Sequence, residues 1–275
     1  MSFSSNVISI EKQGQVGIVW LDREAKYNAL STELWSAIPG ALDALCEDPE
    51  VGSIVFTGRG KHFCAGIDLV EDGLSAHKHS KARSPAESNL QQLSNTGKFQ
   101  AAITAIADCP LPVIAVIKGV CLGAGVDLIS ACDIRIASAC SLFSVRETKL
   151  GLVADVGTLQ RLPKILNAGH VAELAYTGKD IKADRAEKIG LVNDVYESAD
   201  ATMEAGLALA NEIASNSPMA VRGTKYILRK SENLTEEQSL TLNGMFTLMT
   251  SLQSNDLQEG IKAFSERRAP KFTGS

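Results

Sequence analysis

Apolar and polar positions alternate along VISIEKQGQVGIVWLD (residues 7–22) on either side of Gln13-Gly14, which predicts a β-hairpin. The short apolar run SIVFTG (53–58) predicts a buried strand. Between them Leu34, Ile38, Leu42 and Leu45 are spaced for a helix that Ser31 is placed to cap, with Pro39 expected to kink or split it. The stretch from Gly73 to Pro85 is polar and predicts a loop, after which QQLSNTGKFQAAITAIADC (91–109) returns to helical spacing and PVIAVIKGV (112–120) predicts a strand. A turn of Gly123, Ala124 and Gly125 then opens a helix through Leu128 and Ile129, and IRIAS (134–138) predicts the next strand. Strand, glycine turn and helix recur, so the expected fold class is α/β.

Beyond about residue 200 the pattern changes. Residues 201–218, 219–230, 235–252 and 255–268 all carry helical spacing with no strand between them, dividing the chain into a core over 1–200 and a helical region over 201–275. The apolar face of Leu242, Met245, Phe246 and Met249 exceeds what one short layer buries, so part of it is expected to meet another subunit.

Composition narrows the partners. With 275 residues, 45% of them hydrophobic, the chain can bury a sizeable core, and a net charge of -5 disfavours nucleic acid and anionic membrane. An anionic ligand must therefore be held locally. The cysteines (Cys46, Cys64, Cys109, Cys121, Cys132, Cys140) form no CxxC pair and sit mostly among apolar or small neighbours, reading as buried free thiols in a reducing compartment. The N-terminus has no basic leader followed by an apolar run, and the terminal TGS is no peroxisomal address, so a cytoplasmic protein is expected.

Two glycine turns follow predicted strands: HFCAGID (62–68) and GVCLGAGVD (119–127). Glycine lets backbone N–H groups approach a ligand closely, and two such donors aimed together make an oxyanion hole; either turn alone reads equally as a simple tight turn. Gly119, Gly123 and Gly125 do not have the spacing of a dinucleotide fingerprint. Three carboxylates follow, Asp127 in the first turn of its helix, Glu147 in SVRETK and Asp155 in GLVADVGT. From spacing alone, Asp127 can be a first-turn acid favoured by the helix dipole, Asp155 a helix cap, and Glu147 an exposed acid.

FCAGID, then GVCLGAGVDLISACDIR, then Glu147 twenty positions after Asp127, resemble the crotonase superfamily, also called the enoyl-CoA hydratase/isomerase family. The resemblance runs from KYNAL (26–30) to the terminal EGIKAFSERR helix. It implies a spiral of ββα turns with a C-terminal helical trimerisation region, in trimers or dimers of trimers. Residues 1–200 would bind and turn over an acyl-CoA, and 201–275 would oligomerise.

The same resemblance places the oxyanion donors on the N–H groups of Ile67 and Ala124, where the family usually has Gly at the second position. Asp127 and Glu147 match the two acid positions of the hydratases, which ordinarily carry Glu at both. Asp155 stands where hydratases have glycine, and GVDLISACDIR, Glu147 and ADVGTLQRLPK together resemble the dienoyl-CoA isomerase branch; the dehalogenase branch shares the Asp but lacks the acid at Glu147. Lys26, Ala65, Asp68, Phe264 and Arg267 are implied to bind coenzyme A, whereas Arg23 and Lys271 read as solvated charge and His62 as structural. His77 and His79 resemble no complete metal site. The implied reaction converts 3,5-dienoyl-CoA into 2,4-dienoyl-CoA in fatty-acid β-oxidation, without metal or redox cofactor, coenzyme A being part of the substrate. Hydration of a trans-2-enoyl-CoA stays open, and so, remotely, does an RNA-binding member of the superfamily, against which the net charge weighs.

Overall fold

A computed structural model describes residues 3–70 and 83–275; His77, His79 and most of the expected 73–85 loop lie outside the described residues. Strands β1 (Ile8–Gln13) and β2 (Val16–Leu21) form the expected antiparallel hairpin, with Gln13 opposite Val16. The turn is therefore Gly14-Gln15, and Gly14 takes the φ of +59° that a two-residue hairpin asks for.

Helix α1 (Thr32–Cys46) runs unbroken through Pro39, so the proline does not split it. Ser31 Oγ accepts Leu34 N–H at its start, and Leu34, Trp35, Ile38, Ala41, Leu42 and Leu45 are buried. Burying side chains of that size contributes about 1.5–3 kcal/mol each, which together outweighs the roughly 3 kcal/mol cost of an interior proline.

Strands β3 (Ser53–Gly58), β4 (Val113–Ile117), β6 (Ile134–Ser138) and β9 (Asp194–Tyr196) continue the sheet in parallel, in the order β1-β2-β3-β4-β6-β9. Strands β5 (Val120–Leu122), β7 (Leu142–Ser144) and β8 (Ile181–Lys182) make a second sheet in the order β5-β7-β8. The chain steps between sheets at Lys118-Gly119, where Gly119 has φ +58° and a Cβ would overlap the Lys61 carbonyl. One strand in each sheet followed by a helix is the expected ββα turn.

Both faces of the large sheet are covered. Val19, Leu21, Ile54, Phe56, Val113, Ala115 and Ile117 pack with α1, α2 (Pro85–Asp108) and α3 (Ala124–Ala131). Ile18, Val55, Ile114, Val116 and Ile136 point the other way, onto α7 (Ala199–Ala214). This is why SIVFTG and VIAVI read as continuous apolar runs rather than alternations. It also moves the expected boundary at 200: α7 is a layer of the core, with Thr202, Gly206, Ala210 and Ala214 buried against the sheet. Helices α8 (Pro218–Ser231), α9 (Glu236–Met249) and α10 (Asn255–Glu266) follow it, with α8 packed on α9.

Helix α2 starts six residues before its expected start. Ser84 Oγ accepts Glu87 N–H and Pro85 takes the first position, so Pro85 opens a helix instead of closing a loop. Between β6 and α7 the chain adds α4 (Thr158–Ile165), α5 (Ala168–Thr177) and α6 (Ala183–Lys188). All six cysteines are free thiols; four are buried, while Cys46 is half-buried and Cys140 is exposed.

Candidate active site

The two glycine turns meet. Cys64 N–H donates to Val120 O and Leu122 N–H to Cys64 O, so the chain around Cys64 lies alongside β5 as a parallel bridge. Three residues later, Leu30 N–H donates to Gly66 O and Asp68 N–H to Leu30 O. In an extended chain successive N–H groups alternate in direction, so these bonds send Ile67 N–H away from Leu30, to the side on which Cys64 pairs with β5. Gly66 has φ +96°, and a Cβ there would stand 2.9 Å from Leu122 O and 3.7 Å from Ala124 N. Gly125 is equally close, its would-be Cβ lying 2.9 Å from Cys64 O. The glycines thus let two backbones touch.

Ala124 is the first residue of α3, where an α-helix leaves its N–H without an intrahelical acceptor. Among the described residues neither Ile67 N–H nor Ala124 N–H has a hydrogen-bond acceptor. Two free donors flank the Gly66–Gly123 contact, and the helix dipole of α3 adds partial positive charge there.

Asp127 lies one turn into α3 and is wholly buried, at 0% exposure. Its Oδ1 accepts Thr158 N–H, which caps α4 from outside, and its Oδ2 has no partner among the described residues. Burial pushes its carboxyl up to about 7, helped by the neighbouring Glu147 and opposed by the Thr158 hydrogen bond. Glu147 opens a short 3-10 turn (Glu147–Leu150), with Oε1 3.5 Å from where a Gly123 Cβ would be and Oε2 buried without a partner among the described residues. Its carboxyl is also raised, first by burial and then by Asp155. Asp155 is exposed, on the turn before α4, and lines a cleft of about 1010 Å³ with Gln100, Thr104, Arg161 and Tyr226. It does not cap that helix: Gly157 holds the cap position, with φ +134°. The three acids therefore form a graded row, from buried to solvent-facing.

The residues implied in coenzyme A binding fall into two groups. Lys26 is exposed at the end of the short turn Glu24–Lys26, next to Tyr27, whose carbonyl accepts Ala65 N–H at 3.0 Å. Asp68 is only 5% exposed and pairs with Arg23 Nη2 at 3.1 Å. Arg23, expected as solvated charge, is thereby corrected: it is held between Asp68 and the Ala29 carbonyl. Phe264, 87% exposed, lines a separate groove of about 400 Å³ with Met219, Leu257, Ile261 and Phe272, and Arg267 ends α10 in a left-handed conformation, φ +56°. Lys271 is exposed. His62 Nδ1 accepts Val120 N–H, the structural role expected.

Sequence reading passed over Asn28, buried with φ +56°, whose side chain accepts Arg23 N–H and donates to the Arg59 and His62 carbonyls. Asn tolerates the left-handed region better than most residues, so an Asn between KY and AL carried that signal. Gln100 and Arg161 were also passed over; on helices of mixed polarity nothing marked them. Among the described residues no group of three His, Cys, Asp or Glu side chains is placed to hold a metal.

Residues 11–275 match the enoyl-CoA hydratase/isomerase family. The chain belongs to this family. A peroxisomal Delta(3,5)-Delta(2,4)-dienoyl-CoA isomerase of Arabidopsis thaliana is 40% identical over 92% of this chain and 90% of its own. A mitochondrial protein of the same name from Dictyostelium discoideum is 38% identical, over 92% and 85%. The crystal structure of an enoyl-CoA hydratase from Bacillus anthracis superposes with a TM-score of 0.88 at 31% identity, over 98% of this chain and 100% of that one. The crotonase-type α/β fold is thus established, and the greater identity to the isomerases supports an isomerase.

The same relatives overturn the expectation of a cytoplasmic protein, since they are named as peroxisomal and mitochondrial. Buried thiols and a modest negative charge do not distinguish one reducing compartment from another.

Proposed function

We propose that this enzyme converts 3,5-dienoyl-CoA into 2,4-dienoyl-CoA in fatty-acid β-oxidation. The observation that carries the reading is the third carboxylate, Asp155, which lines the open cleft outside Asp127 and lies close enough to Glu147 for the two to hold one proton between them. A hydratase needs two acids around a water; a double-bond shift across five carbons needs proton carriers at both ends of the diene.

In this reading the thioester oxygen sits between Ile67 N–H and Ala124 N–H. Glu147 takes a proton from C2, a step eased because burial raises its basicity when ionised. The negative charge spreads from the thioester oxygen through the diene, and Asp155 delivers a proton to C6. Each turnover leaves Glu147 protonated and Asp155 ionised, so a proton must return before the next. Asp127, charged for only part of the time near pH 7, orients α4 and limits repulsion in the row. Protons alone move, and the reaction needs neither metal nor redox cofactor.

Lys26, Ala65, Asp68, Phe264 and Arg267 are proposed to meet coenzyme A, with Asp68 acting through its backbone because its carboxylate is committed to Arg23. A trimer or dimer of trimers would bring Phe264 and Arg267 to another subunit's site. The bare apolar side chains of α9 and α10, including Met245, Leu248, Met249 and Ile261, support that assembly. The test is an ultraviolet assay offering 3,5-dienoyl-CoA and trans-2-enoyl-CoA side by side. Growth of the conjugated 2,4-dienoyl absorbance is expected, and hydration of the enoyl-CoA without diene isomerisation would refute the proposal.

A further inference from the structure

The turn that presents Asp155 is held by side chains, not by a sheet. Gln100 Nε2 donates to Asp155 O at 2.6 Å. Arg161 Nη1 donates to Val156 O at 3.3 Å, and Arg161 Nη2 donates to Thr104 Oγ1 at 3.1 Å. Gln100 and Thr104 are four residues apart on α2, so one face of one helix supplies both supports. Gly157 follows with φ +134°, and any Cβ there would overlap the Arg161 guanidinium, which lies against the bare Cα. The next N–H, of Thr158, goes to Asp127. Residues 155–158 therefore carry one acid of the row and hold another.

Arg161 is costly where it stands. It is half-buried, and among the described residues its hydrogen bonds go to a carbonyl and a hydroxyl, while the carboxylates of Asp127, Asp108 and Glu232 act on it only from farther off. Hydrogen bonds to neutral acceptors repay only part of the cost of taking a cation from water, and here both of them fix geometry, one at Val156 O beside Asp155 and one at α2.

We propose that Gln100 and Arg161, with Thr104 bracing the latter, are positioning residues that set the distance of Asp155 from the far end of the diene. The proposal rests on the reading of Asp155 as the proton carrier at C6. A displacement of about 1 Å in a reacting group costs on the order of 100-fold in rate, so removing the Gln100 bond and unbracing Arg161 slows proton delivery. The thioester end, fixed by backbone bridges at Leu30 and Cys121, is untouched.

The test compares the parent, Gln100→Met, the double variant Gln100→Met/Thr104→Val, and Asp155→Asn. Two readouts are taken on 3,5-dienoyl-CoA: isomerisation kcat and KM, and deuterium uptake at C2 of the unreacted substrate in heavy water. Isomerisation needs both ends of the row, whereas C2 exchange needs only Glu147 and the two amides. Gln100→Met is expected to lose about 5-fold in kcat, the size of one net hydrogen bond, and the double variant about 10- to 100-fold. KM and C2 exchange should stay within about 2-fold in both, the range expected when binding and deprotonation are intact.

Unchanged kcat in the double variant, or C2 exchange falling in parallel with isomerisation, overturns the positioning role. Gln100 is exposed on its helix, so the single variant decides the matter even if the double one unfolds. An Asp155→Asn enzyme that still isomerises would overturn the proton-carrier reading and this proposal together. An inactive Asp155→Asn enzyme beside an unaffected double variant overturns this proposal alone.

Discussion

The two ends of the carboxylate row are built in different ways. At the end proposed to hold the thioester the free N–H groups belong to the backbone, and their positions are fixed by strand-like bridges from Leu30 to Ile67 and from Cys64 to Cys121. At the far end Asp155 is exposed on an irregular turn whose carbonyls are held by Gln100 and Arg161. The first arrangement tolerates any side chain that preserves the glycine contacts, and the second depends on individual side chains.

The largest effect expected from breaking the thioester end alone is that of Ala124→Pro. Ala124 is the first helical residue, where proline fits and its missing N–H costs the helix nothing. Isomerisation should fall about 100- to 1000-fold with circular dichroism unchanged, because one oxyanion donor is gone. Ala124→Gly, which keeps the N–H, should retain activity. A folded Ala124→Pro enzyme at the parent rate would place the second donor elsewhere.

A smaller effect concerns the acid that joins the two ends. In the fold Asp127 keeps its proton up to about pH 7, against 3.8 for an unperturbed carboxyl. The folded state therefore binds the proton more tightly, and the stability this confers is full below about 3.8 and lost as pH rises through about 7. Urea midpoints of the parent should decline across that window. Asp127→Asn preserves the acceptor for Thr158 N–H, should flatten the decline, and above pH 7 should be more stable by on the order of a few kcal/mol. A parallel decline in parent and variant would show that another group is responsible.

The smallest of these effects is at Gly66. Alanine there must adopt φ +96° and crowd Leu122 O, which should cost about 1–3 kcal/mol and lower the melting temperature. An unshifted melting temperature would mean that the two turns do not pack as closely as described.

This difference between the ends also explains what could be read from the sequence. The hairpin, the buried strands and α1 were legible because their apolar periods are long, and the two glycine turns because glycine is needed where Gly66 and Gly125 approach another backbone. The stretch from 139 to 198 was less so: β7, β8 and β9 are two or three residues long, and α6 has six, too short for a period to register. The place of α7 in the core was hidden because its buried face is built from Gly206, Ala210 and Ala214, small residues that look weakly apolar until a sheet lies on them. Asp127, Glu147 and Asp155 stand out as acids after the glycine turns but take their proposed roles only from the resemblance, while Gln100 and Arg161 bond to main-chain oxygens and leave no motif.

The division of labour between the two ends is tested most directly by following C2 deuterium exchange and isomerisation in Glu147→Gln and Asp155→Asn on 3,5-dienoyl-CoA. Removing the base at C2 should suppress both by about 100- to 10,000-fold, and removing the carrier at C6 should suppress isomerisation by the same order while leaving exchange near the parent rate. If Asp155→Asn abolishes exchange along with isomerisation, or Glu147→Gln keeps exchange, the two carboxylates do not serve opposite ends of the diene.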